Sequence, residues 1–237
     1  MSEKLVLPKS QSPQMFDEIS SRYDLLNRLL SFGQDLPWRR RLKEFLPASE
    51  RMQVLDLMSG TADVLIVLSK DNPRIVRGIG VDLAANMLAI GQKKIEAAGL
   101  GDKLFLQVGD AQALPFLNES FDCVTASFGM RNLPDLRLGL LQSYRVLRQG
   151  GRLLILEFSK PQNPVLFAGH WLYLKTGVPL IGFLFSGNWK AYRYLNQTIA
   201  GFPYGEQFCK ILKQFGFTNV HAHPLMGGVA TIYVAEK

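Results

Sequence analysis

The chain has 237 residues, enough for one large domain or one domain with an insertion. Its content, 47% hydrophobic and 20% charged, excludes extensive disorder and implies a packed core. A formal net charge of +7 permits attraction to anionic lipid or nucleic acid, but no stretch alternates basic and aromatic residues, so no nucleic-acid partner is expected. Cys123 and Cys209 fit no metal spacing, and the first ten residues lack the apolar core of a signal peptide. A cytoplasmic protein is expected.

Residues 1–13 read as a polar lead. Phe16, Ile19, Tyr23, Leu26 and Leu30 recur at three- and four-residue steps and predict a helix over Met15–Leu30, ended by Gly33. A second helix is predicted after Asp35, taken as its N-cap, with Pro37 in the first turn. Arg39, Arg40, Arg41 and Lys43 make it basic, either as a solvated face or as a lipid contact. Strands then alternate with helices. The strands are Gln53–Leu57, a second one ending Ile79–Val81 before Asp82, Leu104–Val108, Phe121–Ser127 and Arg152–Phe158. The intervening helices run to about Lys70, to Gly99 and over Leu136–Leu147, the last stopped by Gly150-Gly151. This alternation predicts a mostly parallel, doubly wound α/β sheet.

Residues 163–187 break the pattern. They are long and very apolar, but His170, Lys175, Gly177 and Pro179 argue against a membrane span. They read either as helices buried over the sheet or as an apolar wall for a greasy substrate. A tyrosine-rich stretch follows (Trp189–Tyr204), then a helix near Glu206–Phe215 and strands Val220–Pro224 and Val229–Ala235, joined at Gly227-Gly228.

The chemistry centres on VLDLMSGTADV, Val54–Val64: a buried strand, a tight turn and a helix start. In open α/β sheets ligands bind outside the carboxyl ends of the strands, at such turns. Asp82, at the end of the next strand, suits ribose hydroxyls. The turn does not fit G-x-G-x-x-G, because Ala62 and Leu65 replace the second and third glycines. That disfavours a dinucleotide and leaves S-adenosylmethionine.

Several stretches together resemble the UbiE/MenG family of quinone-biosynthesis C-methyltransferases. They are Phe16–Gly33 with Trp38-Arg39, the LDLMSGTAD turn, Gly109–Phe116, Ser120–Asp135, Tyr144–Pro161, Tyr192–Pro203 and the Gly227-Gly228 hairpin, so the likeness spans nearly the whole chain. One departure stands at the turn, where the family's D-x-x-G-G-T-G-D has become Asp56-Leu57-Met58-Ser59-Gly60-Thr61-Ala62-Asp63, which bears on cofactor affinity. The resemblance implies a Rossmann-like class I methyltransferase domain over residues 1–237. Residues 14–47 would be a helical cover and residues 163–203 a helical insertion over the substrate site.

It assigns Gly60 and Thr61 to the amino-acid end of S-adenosylmethionine, Asp82 to the ribose, Asp110 and Ala111 to the adenine and Ser127 to the methionine part. Asp56 would place the ammonium or orient the turn. Arg131 would stabilise a quinol phenolate or polarise a water, and Asn132 would hold the ring hydroxyl. Alternatively Arg131 pairs with an acid such as Asp135. Tyr23, Asp24, Tyr192 and Tyr194 are weaker pocket candidates, and no metal is needed. The implied reaction is C-methylation of a polyprenyl quinol, naphtho- or benzo-, by a peripheral protein at the inner face of the cell membrane. A homodimer is compatible with the sequence. The rival expectations are a methyltransferase for a soluble small molecule and a quinone-binding scaffold that has lost the cofactor.

Overall fold

A computed structural model describes residues 7–70, 72–180 and 189–237. The expectations that fall on residues 181–187 and on the side chain of Tyr192 lie outside the described part. A single 3-10 turn, Lys9–Gln11, leads into α1 (Ser12–Leu30), followed by α2 (Asp35–Arg41). The alternating section is β1 (Met52–Leu57), α3 (Asp63–Ser69), β2 (Ile75–Asp82), α4 (Ala85–Ala97), β3 (Leu104–Val108), β4 (Phe121–Ser127), α5 (Leu136–Val146) and β5 (Leu147–Phe158). Then come α6 (Pro164–Leu172), α7 (Trp189–Gly201), α8 (Glu206–Gln214), β6 (Thr218–Leu225) and β7 (Ala230–Glu236).

Among the described residues seven strands form one sheet in the order β3-β2-β1-β4-β5-β7-β6. The first five are parallel, and β7 inserts antiparallel between β5 and β6. After β1 the chain builds outward to β3, then returns to place β4 on β1's other side. The carboxyl ends of β1 and β4 therefore flank the point where the strand order reverses, and the crevice opens there.

Successive side chains of the central strands point to opposite faces, and both faces are covered, so the strands read as continuous apolar runs. Leu55, Leu57, Val124, Leu153 and Ile155 join the core under α5 and α8. Val54, Cys123, Leu154 and Leu156 join the opposite core with Trp38, Leu65 and Leu68. A third, smaller cluster packs Met15 and Leu26 of α1 against Val178, Ala191 and Tyr194. It holds the amino-terminal helices over the carboxyl ends of the strands.

Two expectations are corrected here. Gly150-Gly151 does not stop a helix; α5 ends at Val146 and Leu147 already belongs to β5. Gly150 takes φ +74°, and a Cβ on Gly151 would come within 3.0 Å of the Asp122 carbonyl, so the pair serves an irregular strand start. Asp35 is not an N-cap either: Gln34 occupies that place and Asp35 is buried inside the first turn. Its carboxylate accepts from Arg39 at 2.5 Å, and Arg28 closes on it from α1. The pairing also removes Arg39 from the basic surface, since it is buried and stacks over Phe128. Only Arg40 and Arg41 of that run are exposed.

Candidate active site

Strand register builds the first part of the site. Asp56 pairs with Thr125 across β1 and β4, which puts both side chains on the same face. Thr125 donates to Asp56 Oδ1 at 2.6 Å, and Ser59 donates to Oδ2 at 2.6 Å. Burial pushes the Asp56 carboxyl up to about 6, against these hydrogen bonds and the nearby Arg39 charge, which pull it down. With both oxygens engaged, Asp56 has the geometry of a group that orients the turn.

The turn itself is tied to the end of β2. Gly60 N–H donates to Asp82 Oδ2 at 2.8 Å, and Ala84 N–H donates to Oδ1 at 2.9 Å. Gly60 needs its φ of +55°, and a Cβ there would crowd the Met87 methyl at 3.2 Å. Ala62 also sits in the left-handed region, at φ +62°, where L-residues are strained. The Thr61 hydroxyl points away, donating to Asp24 at 2.7 Å and accepting from Lys94 at 3.1 Å. Only the backbone of Thr61 is left to meet a ligand.

A cavity of about 350 Å3 opens beside this turn. Gly60, Asp82, Asp110, Ala111, Ser127 and Asn132 all line it, together with Lys9, Met58, Met87 and Phe128. Asp56 and Thr61 do not. Burial raises the Asp82 carboxyl above the usual carboxylate range, while the backbone N–H groups of Ala84, Gly60 and Leu83 oppose the shift. Ser127 Oγ and Asn132 Oδ1 are buried without a hydrogen-bond partner among the described residues, which marks them as groups that await a ligand. Two strand-end carboxylates, apolar Leu83 and Met87 in the same lining and the orphaned Ser127 Oγ fit the ribose, adenine and methionine parts of S-adenosylmethionine, which leaves Asn132 Oδ1 for a second ligand.

Arg131 lies outside this cavity and lines a second, apolar pocket. Its partner is Glu157, not Asp135: Arg131 Nη1 donates to Glu157 Oε1 at 3.0 Å, and to the Phe128 carbonyl. Asp135 instead caps α5, accepting from Arg137 N–H at 2.8 Å. The guanidinium stands over the Phe158 ring, and its Nε is buried without a partner. Phe16, Tyr23 and Phe128 line both the first cavity and this pocket. Leu30, Trp38, Phe158 and Leu195 in turn line both the pocket and a third, wide groove of about 460 Å3 between α1, α6 and α7. The cavity that holds the polar groups thus adjoins an apolar pocket, and that pocket adjoins a wide apolar groove, through shared walls.

Of the weaker candidates, Tyr23 lines both the cavity and the apolar pocket, and Tyr194 is buried in the pocket wall. Asp24 is spent on Lys94 and Thr61, away from the cavity. Sequence reasoning missed Glu157, Phe128 and Lys9. Glu157 had a visible signal, an acid within the apolar run LLILEF. Phe128 had none, since its φ of +58° is a property of the folded loop.

The sheet order, the reversal crevice and the strand-end acids define the Rossmann-like fold of the S-adenosylmethionine-dependent class I methyltransferases. Solved structures agree on the fold. A SAM-dependent methyltransferase from Thermotoga maritima superposes with a TM-score of 0.67 at 18% identity, covering 94% of this chain and 98% of that one. One from Aquifex aeolicus gives 0.60 at 19%, covering 85% and 90%. The [4+2]-cyclase SpnF gives 0.66 at 14%, covering 100% and 99%, so this fold by itself does not specify methyl transfer.

The chain belongs to the ubiE/COQ5 methyltransferase family, whose profile matches residues 5–237. It is 39% identical over 234 residues to the ubiquinone/menaquinone biosynthesis C-methyltransferase UbiE of Geotalea uraniireducens, covering 99% of both chains. It is 43% identical over 223 residues to the demethylmenaquinone methyltransferase of Thermus thermophilus, covering 94% of this chain and all of that one.

Proposed function

We propose that the protein uses S-adenosylmethionine to methylate a ring carbon of a polyprenyl quinol, demethylmenaquinol or its methoxy-benzoquinol counterpart. The observation that carries this reading is that the cavity holding the polar groups shares walls with an apolar pocket, which in turn shares walls with a wide apolar groove. A quinol ring with a long isoprenoid tail matches that sequence of environments, and a soluble polar substrate does not. The names of the relatives point the same way.

In this reading Asp82 holds the ribose, Asp110 and Ala111 meet the adenine, and Ser127 meets the methionine part. Gly60 and the Thr61 backbone shape the turn, with Asp56 bracing it from below. Bound there, S-adenosylmethionine supplies a sulfonium methyl as electrophile, whose carbon–sulfur electron pair leaves on sulfur. Asn132 orients a ring hydroxyl through its unpartnered Oδ1, and Arg131 offers its free Nε–H to the developing phenolate. The amino-terminal helices and the insertion exclude water and align the reactants. The groove, with exposed Phe32, Val165, Leu166 and Met226 around it, is the route for the tail, and its mouth meets the membrane surface.

Titration calorimetry with S-adenosylmethionine on the wild type and on Asp82→Ala tests the cofactor site, and a mass-spectrometric assay with demethylmenaquinol tests the reaction. Binding lost in Asp82→Ala, and a product heavier by the exchange of a ring hydrogen for a methyl group, are expected. A folded protein that binds no cofactor would favour the scaffold reading.

A further inference from the structure

The amino-acid end of S-adenosylmethionine carries an ammonium and a carboxylate, yet Gly60, Thr61 and Ser127, the groups assigned to it, are uncharged. A small recess adjoins the cavity at this place. It measures about 20 Å3, room for one water-sized group. Met58, Gly60 and Ser127 line both the recess and the cavity, so the two share the wall made by the turn and the end of β4. The buried, unpartnered Ser127 Oγ belongs to that shared wall. Thr61, Asp56, Asp63 and Arg39 line the recess but not the cavity.

Among the described residues Arg39 is the one basic side chain of the recess. It is only 4% exposed, and its guanidinium is fixed from two sides. It stacks over Phe128, and Nη1 meets Asp35 Oδ2 at 2.5 Å and Asp63 Oδ2 at 3.9 Å. Among the described residues Nε and Nη2 make no ion pair or hydrogen bond. Asp35 is also shared with Arg28, so it does not saturate Arg39. A planar guanidinium held out of water with donors to spare is a receptor for a carboxylate. Around it the charges balance: Arg28, Arg39 and Lys94 are set against Asp24, Asp35 and Asp63. A zwitterion adds no net charge to that network, and the acidic wall of Asp56 and Asp63 suits its ammonium. Lys9, the basic residue of the main cavity, does not line the recess.

We propose that Arg39 binds the carboxylate of S-adenosylmethionine, a role that rests on the cofactor reading above. Arg39 belongs to α2 of the amino-terminal cover, whereas the turn belongs to the sheet. The carboxylate therefore ties the cover to the occupied cofactor site. Arg39 also lines the apolar pocket that holds Arg131, so the same contact couples cofactor binding to the wall that receives the substrate.

The test compares S-adenosylhomocysteine with its decarboxylated analogue, which keeps the adenosine, the sulfur and the ammonium and lacks only the carboxylate. Binding to the full-length protein is measured by titration calorimetry, and amide exchange in α2 by mass spectrometry. The variant is Arg39→Met combined with Asp35→Asn, because removing one partner of a buried ion pair is itself destabilising. The wild type should bind S-adenosylhomocysteine about 10- to 100-fold more tightly than the analogue, as a hydrogen-bonded charge pair implies, and only the former should slow exchange in α2. The double variant should bind both ligands alike, close to the wild type's affinity for the analogue. Equal affinities on the wild type overturn the assignment. A double variant that weakens both ligands by the same factor overturns it too, because that is the signature of a purely structural role. So does a double variant that still prefers the carboxylate, since another cation then holds it. Should the double variant not fold, exchange in the wild type decides: equal protection of α2 by both ligands overturns the assignment, and protection by S-adenosylhomocysteine alone supports it. A wild type that binds neither ligand removes the cofactor reading itself, and the role of Arg39 falls with it.

Discussion

Ser59 and Ala62 stand where the resembled family has glycine, and they are unlike one another in the fold. Ser59 adds a buried hydrogen bond to Asp56, whereas Ala62 places a Cβ in the left-handed region. The strain at Ala62, on the order of 1 kcal/mol, is offset by burial of its methyl group, worth about 0.8 kcal/mol. Asp56 carries the clearer consequence. Its carboxyl lies near 6 in the fold against 3.8 when free, so the native state holds a proton that the unfolded chain has released. This stabilisation is complete below about pH 4 and is lost as pH rises through about 6. Its size is roughly 3 kcal/mol, since each tenfold change in proton affinity is worth about 1.4 kcal/mol. Asp56→Asn has no such titration. Denaturant unfolding at pH 4.5 and 7.5 should therefore show the wild type losing stability relative to Asp56→Asn as pH rises, and parallel profiles would refute the raised carboxyl.

At the level of elements, the amino-terminal helices are latched to α3 and α4 by charge. Asp63, in the first turn of α3, is paired by Arg28 of α1 at 2.8 Å and by Lys94 of α4. Lys94 also holds Asp24 of α1 at 2.7 Å. Burial alone would raise the Asp63 carboxyl, but Arg39 and Lys94 outweigh it and hold it below the usual range. The sign is the reverse of that for Asp56: the latch is intact above about pH 4, the free carboxylate value, and is lost as pH falls through the depressed value. Asp63→Asn should speed amide exchange in α1 and α2 on the order of tenfold at neutral pH, with β4 and β5 unaffected. Hydrogen-exchange mass spectrometry distinguishes this from uniform destabilisation. α1 was legible from its apolar spacing and α2 from Asp35 and Pro37 at its start, but their partners were not. Asp35 reads as a cap because caps are local, and its true contacts come from Arg28, seven residues earlier, and Arg39.

Across the whole molecule, polarity is graded from the strand-end cavity to the groove mouth. Among the described residues no helix is long and apolar enough to cross a membrane. Yet Val165 is 82% exposed and Leu172 56%, and no residue of α6 is buried. Lys175, just beyond α6, lies over the Trp171 ring at 4.2 Å, which places a charge at the edge of this apolar face. Contact with a bilayer would bury those side chains at roughly 1.5–3 kcal/mol each. Changing both Val165 and Leu172 to Asp should lower liposome co-sedimentation at least tenfold. Arg40→Ala with Arg41→Ala should cost only on the order of 1 kcal/mol per charge. The opposite ranking would return the membrane contact to the basic helix.

What the amino-acid sequence determined alone is whatever depends on neighbours along the chain. Strands β3 and β4, the acid at the end of β2, the turn after β1 and the final hairpin all follow from short-range patterns of apolar and turn residues. Asp82 was legible as a strand-end acid, whereas Asp110, Ala111, Ser127 and Asn132 were singled out through the family resemblance; all five line one cavity because strand ends converge in a sheet of this order. Only the tertiary structure decided which groups face one another. Parallel register set Thr125 against Asp56, and the β4–β5 pairing brought Glu157 under Arg131, 26 residues away in sequence. The packing of α1 carried Lys9 back over a cavity built 50 to 125 residues later, a span of roughly 1.5 Å per helical residue that no local pattern encodes. Pairings of charge are fixed by distance in space, and the spacing of residues in sequence does not report it.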